Sequence, residues 1–314
     1  MANTPVVVLD DTLTDIANAI RGKNGSSDKY KPGQMAGAID NIPAGGLGIP
    51  REVNNGVYKI PEVTSFSLPS NATDVGPNAL AYAFYSCPSL TSVDLSSLTA
   101  ASGNKAFTSA FYSCANIASV DLSSLTTASG EETFSVTFDD CGKLTSVDLS
   151  SLTTVSGQRV FSSTFYFCKS LTSVDLSSLT TVSGNNAFNR AFGYCDKISS
   201  INLSSLTTVS GTGSFSNAFY YCDALTSVDF SSLSTLSGAQ ALYSAFSNCY
   251  KLKSLSFPAL TVDSFGSAVN QFENMLYSVT GCTIHFPAAV QAKIETMKGY
   301  PNFGGTNTTV LFDL

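Results

Sequence analysis

Seven cysteines recur at a constant interval of 27 residues: Cys87, Cys114, Cys141, Cys168, Cys195, Cys222 and Cys249. Three residues after each stands Leu or Ile: Leu90, Ile117, Leu144, Leu171, Ile198, Leu225 and Leu252. A strict period of this length means one supersecondary unit stacked on copies of itself. The chain therefore folds as a solenoid, growing in length rather than into separate cores. That constraint outranks the soft prior of two globular domains that 314 residues would otherwise suggest.

The unit opening at Leu90 shows the expected logic. Val93 and Leu95 alternate with Ser92, Asp94 and Ser96, the period-two pattern of a strand with one buried face. Leu98 then turns inward. Ser102–Gly103 reads as a helix start, and Phe107, Phe111 and Cys114, at i, i+4 and i+7, read as one stripe of a short helix. Ser129 with Glu132 adds a capping-box pattern in the next unit. The expectation is an α/β solenoid, a leucine-rich-repeat-like array of eight 27-residue strand–helix units over residues 63–278.

The flanks do not follow the period. In residues 1–42, Leu13, Ile16 and Ile20, then Met35, Ala36, Ile39 and Ile42, predict two short helices with too little core to stand alone. This N-terminal helical module suits attachment to a partner, to a second copy or to the solenoid. Residues 43–62 read as a Pro- and Gly-rich linker and the lead-in to the array. Residues 279–314 predict a C-terminal cap, since an open solenoid end exposes core. Its parts are a strand at Thr283–Phe286, a helix at Ala288–Met297 burying Val290, Ile294 and Met297, and a closing strand in NTTVLFDL.

Composition narrows the function. The net charge of −7, with no Lys/Arg cluster, argues against nucleic acid. No apolar run approaches the ~18–20 residues of a membrane span, and the start lacks the features of a signal peptide, so folding in the cytoplasm is expected. Disulfides are not expected, because bonding would pair rungs and break the even pitch. A reduced, buried cysteine column is expected instead, with Cys282 off the register. One histidine, His285, and no CxxC pair leave no metal centre or cofactor signature. No GxSxG or Walker loop is present, and the adjacent acids Asp139–Asp140 and Glu131–Glu132 read as solvated loop residues, so no enzyme is expected.

The repeats also serve as their own alignment. The strand segment barely changes between units, whereas the segment after each Ser-Gly pair and the two residues before each cysteine change freely. Those two positions make a candidate aromatic strip of Tyr85, Tyr112, Tyr166, Phe167, Tyr194, Tyr220 and Tyr221. Tyrosine offers a flat apolar face and a hydrogen-bonding tip, suited to sugars and protein epitopes. The plainer reading is a set of rings that stack between rungs and shield the core. A second row, Asp94, Asp121, Asp148, Asp175, Asn202 and Asp229, lies on the strand face. Carboxylates in a row are a weak candidate for Ca²⁺, but no chelating loop accompanies them, and a hydrated row is the plainer reading.

The phrase CxxLTSVDLSSLTTVSG, with AF or TF before the cysteine, resembles the bacterial BspA-like leucine-rich repeat over about 220 residues. The unit here is longer than is usual for that class. The position after the strand that is normally Asn is here Leu98 and its copies, so hydroxyls of Ser97, Thr99 and their equivalents are expected to cap backbone instead. The stretch LTDIANAIRGKNGSSDKYKPGQMAGAIDNIP resembles a module at the start of tail-fibre proteins of phages and prophages of Gram-positive gut bacteria. The stretch TIHFPAAVQAKIETMKGYPNFGGTNTTVLFDL resembles their terminal segment. These resemblances imply a receptor-binding protein of the virion tail. It would recognise a bacterial surface glycan or protein through the array and hold tail or baseplate proteins through residues 1–42. The alternative is a cellular BspA-like adhesion protein at the bacterial surface.

Overall fold

The computed structural model describes strand backbone at Glu52–Asn54 and Val57–Lys59, then residues 64–68 and 70–314. The helical module expected at 1–42 and most of the linker lie outside the described residues. Within the lead-in, Glu52–Asn54 and Val57–Lys59 pair antiparallel.

Beyond that hairpin the chain winds into rungs joined by three ladders. The first is a seven-stranded parallel sheet from Ser65–Ser67 to Ser227–Asp229. Each residue pairs with its copy one unit on, Val93 with Val120 and Val120 with Val147. The valines are buried and the flanking Ser and Asp face outward, as the alternation predicts. The second ladder holds six two-residue strands, from Ala100–Ala101 to Thr235–Leu236.

The third ladder corrects the expected strand–helix unit: residues such as 103–114 form no helix. They form overlapping β-turns. Ala106, Thr108, Ala110, Tyr112 and Cys114 each donate their N–H to the carbonyl three residues back. The residues between them, Lys105, Phe107, Ser109, Phe111 and Ser113, donate to the next rung, at Glu131, Thr133, Ser135, Thr137 and Asp139. Every fourth residue is left-handed, with φ of 58°, 52° and 54° at Lys105, Ser109 and Ser113. Such residues cost about 1–2 kcal/mol each. The inter-rung bonds and the packing below offset that strain.

Two physical facts favour the turn ladder over a helix. Helices pack 8–10 Å apart, whereas parallel strands repeat at about 4.8 Å, so a helix on every rung would splay one side of the stack. The turn ladder keeps the strand pitch: Phe107 stacks on Phe134 at 5.0 Å and Phe111 on Phe138 at 5.2 Å, planes within 6°. The glycine of each Ser-Gly pair acts likewise. A Cβ on Gly184 would overlap the carbonyl oxygen of Gly157, and one on Gly238 that of Gly211. The glycine that looked like a helix start is instead a point of close backbone approach between rungs.

Cysteine belongs to the same pattern. The small residue before each Phe sits over a carbonyl of the preceding rung; where it is Thr, its hydroxyl bonds that carbonyl, as Thr137 does to Phe107 and Thr164 to Phe134. Cysteine fills the third such position. Its Sγ donates to the Phe carbonyl of the preceding rung, Cys114 to Phe84 at 3.0 Å and Cys168 to Phe138 at 3.1 Å. None of the eight cysteines forms a disulfide, and all are buried. Burial pushes the thiols of Cys168, Cys195 and Cys222 well up, which keeps them protonated as donors.

The C-terminal part continues the stack off register. Ser254 pairs with Thr283 and Thr283 with Thr309 in a three-stranded parallel sheet. The expected helix is short, a 3₁₀ turn at Ala288–Val290 running into one α-helical turn at Gln291–Ile294, and it buries Val290 and Ile294, with Met297 beyond its end. Among the described residues no helix is long and apolar enough to cross a membrane.

Candidate recognition surface

Two outward surfaces carry the residues singled out from the sequence. On the strand face, the acidic row lies on consecutive strands, Asp94 beside Asp121 and Asp175 beside Asn202. Each side chain turns back on its own chain: Oδ1 accepts the N–H two residues on, from Ser96, Ser150, Ser177 and Ser231 at 2.8–2.9 Å and Ser123 at 3.0 Å. Asn202 does the same for Ser204 at 3.0 Å. These Asx turns bend the chain out of the strand. Partial burial raises the Asp94 carboxyl, but hydrogen bonds from Ser96 and Ser67 outweigh it and hold the group below the usual carboxylate range. Among the described residues, no three His, Cys, Asp or Glu side chains come together as a metal site. An open groove of about 780 Å³ runs along this face, lined by Ser92, Asp94 and their copies.

Threonines flanking the strands form two hydroxyl ladders. Thr126 Oγ1 donates to the Thr99 carbonyl at 2.8 Å, Thr153 to Thr126 and Thr180 to Thr153. Thr172 donates to the Thr145 carbonyl on the other side. Ser97 and Thr99 reach the carbonyls of Ala72 and Thr73. Hydroxyls thus take the place of an asparagine ladder, as the departure at Leu98 predicts.

The turn ladder carries the aromatic residues, all half-buried. They form two groups rather than one strip. Tyr85 and Tyr112 stack at 4.6 Å. Asp139 and Asp140 interrupt the column, and the second group then gathers Tyr166, Phe167, Tyr194, Tyr220 and Tyr221. Phe167, Tyr194 and Tyr221 stack face to face along the array at 4.5 and 4.9 Å. Tyr166 and Tyr220 stand across them at 83°, their centroids 4.6 and 4.5 Å from Phe167 and Tyr221. Gly193 lies between these two in the column, and a Cβ there would overlap the edge of the Tyr166 ring. The plainer expectation therefore holds in part, since the rings do stack between rungs.

Several residues were not singled out. Tyr250, half exposed, extends the larger group edge-on to Tyr221 at 6.3 Å. It follows its cysteine, so the pair before each cysteine could not reveal it. Asp139 is not the solvated acid expected: burial, with Asp140 beside it, pushes its carboxyl up to about 7. Arg190 is exposed on the turn next to Tyr166 and makes no ion pair among the described residues. By contrast, Arg159 and Lys105 are held by Glu131 and Glu132. His285 Nδ1 lies 3.0 Å from Asp313 across the terminal sheet, a structural contact.

The repeat and the surfaces together define a leucine-rich repeat scaffold, a class suited to protein interaction or adhesion. The BspA type leucine rich repeat region matches residues 51–190, 82–218 and 136–277 in overlapping copies, more than half of the chain, and the chain belongs to that family. No curated protein matches the sequence. Among solved structures, the chain is similar to a leucine-rich repeat protein of T. pallidum, with TM-score 0.35, 19% identity, and coverage of 80% of this chain and 94% of that one. A leucine-rich repeat protein of Bacteroides ovatus has TM-score 0.32 and 17% identity, covering 80% and 84%. A leucine rich cell surface protein of Faecalibacterium prausnitzii has TM-score 0.25 and 17% identity, covering 79% and 87%.

Proposed function

We propose that this chain is a non-enzymatic recognition protein that binds a bacterial surface glycan or protein through the aromatic group on its turn ladder. The observation that carries this reading is the cluster of Tyr166, Phe167, Tyr194, Tyr220 and Tyr221 on the one face where the repeats vary. Half-buried tyrosines held by neighbouring rings are preorganised, so little entropy is lost when a ligand covers them. The likeness of both termini to tail-fibre proteins supports a setting in the virion tail. There residues 1–42 attach the array to tail or baseplate proteins or to a second copy, residues 43–62 link, and residues 279–314 close the solenoid. Family membership supports equally a cellular adhesion protein at the bacterial surface.

The test is adsorption of purified chain to a panel of Gram-positive gut strains, with Tyr166, Tyr220 and Tyr221 replaced by Ala. Binding is expected to be lost while the thermal transition survives. Unchanged adsorption to a strain that binds the parent chain removes the aromatic group from the role.

A further inference from the structure

We infer that the open edge of the terminal sheet, strand Thr309–Leu311, is an interface between two copies of this chain, which pair it antiparallel about a two-fold axis at Val310.

The C-terminal part covers most of the core and stops short at this strand. Val290, Ile294, Met297 and Phe303 are at most 3% exposed. By contrast, Leu311 and Leu314 are 37% and 49% exposed, and Val310 and Phe312 are only half-buried. Their equivalents one rung back, Ile284 and Phe286, are fully buried. The difference is a missing neighbour, because Thr309–Leu311 is the last strand of the sheet that begins at Ser254–Ser256. Phe312 has the Phe286 ring on one side, at 6.2 Å, and among the described residues no ring on the other.

The backbone shows which groups are open. Thr309 donates its N–H back to the Cys282 carbonyl, and the Leu311 carbonyl accepts the Phe286 N–H. Alternation along a strand then turns the N–H and C=O of Val310 away from the sheet. Among the described residues no strand pairs with that edge. Natural edges are commonly blunted by Lys, by Pro or by an inward charge. The segment TTVLF, residues 308–312, carries none of these.

A second copy fits the edge. In an antiparallel pair about Val310, each Val310 N–H reaches the other Val310 carbonyl, and Thr309 falls opposite the second copy's Leu311. The inward column Leu255, Ile284 and Val310 then runs on into the same column of the second copy. Charge favours this end. Residues 279–314 hold Lys293 and Lys298 against Glu295 and Asp313, a net side-chain charge of zero on a chain of −7. Copies meeting along the strand face would instead oppose two rows of Asp. The two-fold contact also closes at two copies, whereas head-to-tail stacking would grow without limit.

The experiment is sedimentation equilibrium of the full chain. The average mass is expected to climb from that of one chain to that of two as concentration rises from about 1 to 300 µM, the range of a small interface. Val310→Pro removes a donor that the chain's own ladder does not use, and Leu311→Lys sets a charge at the edge. Each is expected to raise the dissociation constant at least about tenfold, with the thermal transition of dilute protein in place. Thr309→Cys combined with Leu311→Cys puts thiols on facing positions, with Cα atoms about 4.5 Å apart across the axis. Mild oxidation is expected to link that variant into dimers, while the native cysteines stay buried. A single-chain mass throughout, a mass that grows past two chains, unchanged dissociation in both edge variants or no cross-link each overturns the inference.

Discussion

The strand face and the turn face are built from the same rungs at the same pitch, yet they use their outward side chains in opposite ways. On the strand face the Asp and Thr side chains are committed to the fold. Asp148 holds the Ser150 N–H, Thr172 holds the Thr145 carbonyl, and the residue types hardly change from unit to unit. On the turn face the backbone closes mostly on itself, through alternate bonds within and between rungs, with a few side chains such as Asn104 and Asn185 taking the Glu131 and Thr212 N–H groups. Most of its outward side chains carry no such duty, and they vary far more between units. A face whose side chains close the backbone is constrained by it; a face whose backbone closes without them is free to acquire a ligand.

The sharpest way to break that comparison is to truncate neighbouring residues on either side of the turn ladder. Phe165 lies between Phe138 and Phe192, at 5.7 and 5.5 Å, and is fully buried. Phe165→Ala is expected to destabilise the array by about 3–5 kcal/mol. Tyr166→Ala, one residue on, is expected to lower stability by under about 1.5 kcal/mol, the scale of an aromatic pair. Urea denaturation of the two variants decides it: equal losses make the outward rings part of the core.

Gly184→Ala ranks next. The added methyl meets the Gly157 carbonyl, and the rungs have to separate locally. A loss of about 1–3 kcal/mol is expected. The same substitution at Gly142, where a Cβ meets nothing within 4 Å, is expected to leave the thermal transition in place. A similar drop at both sites contradicts the close-approach account.

The 27-residue period made the solenoid, the inward Val and Leu columns and the strand register legible, because those features repeat with the cysteines. The helix misreading has a physical origin. Phe107, Phe111 and Cys114 fit a 3.6-residue period, but the segment actually repeats every four residues: NKAF, TSAF, then YSC. A small residue and a Phe close each tetrad, and both Ala110 and Phe111 are buried; a helix would turn that pair by about 40° from one tetrad to the next, whereas the turn ladder returns it to the same place. The strict four-residue beat was the available signal. The aromatic candidates were legible as a column, but their separation into two groups depends on ring orientation, which no spacing encodes. Arg190 escaped notice because one cation in a variable segment carries no pattern.

The two faces are also expected to titrate with opposite sign. Asp139 on the turn face has its carboxyl pushed up to about 7, from 3.8. Its raised folded value means that stability is fully present below about 4 and lost as pH rises through 7. Asp94 on the strand face is held low, so its contribution is present above its unfolded value and lost as pH falls below it. The transition temperature of the parent chain is expected to decline between pH 4 and 7. Asp139→Asn is expected to flatten that decline, because a neutral amide carries no burial penalty for charge. A parallel decline in the variant places the titrating group elsewhere.

The smallest expected effect concerns the acidic row itself. Asn202 accepts the Ser204 N–H at 3.0 Å just as Asp148 accepts that of Ser150 at 2.9 Å. The Asx turn needs an acceptor, not a charge. Replacing Asp121, Asp148 and Asp175 together by Asn is therefore expected to change stability at pH 7 by only a few tenths of a kcal/mol, with loss of like-charge repulsion offsetting weaker acceptors. Asp148→Ala leaves the Ser150 N–H without its side-chain partner and is expected to lower stability by about 1 kcal/mol. Adsorption to cells is expected to be the same in all of these variants, and added Ca²⁺ is expected to leave their melting temperatures unmoved. A loss of adsorption in the triple Asn variant, with its fold intact, would place recognition on the strand groove and reverse the assignment of the two faces.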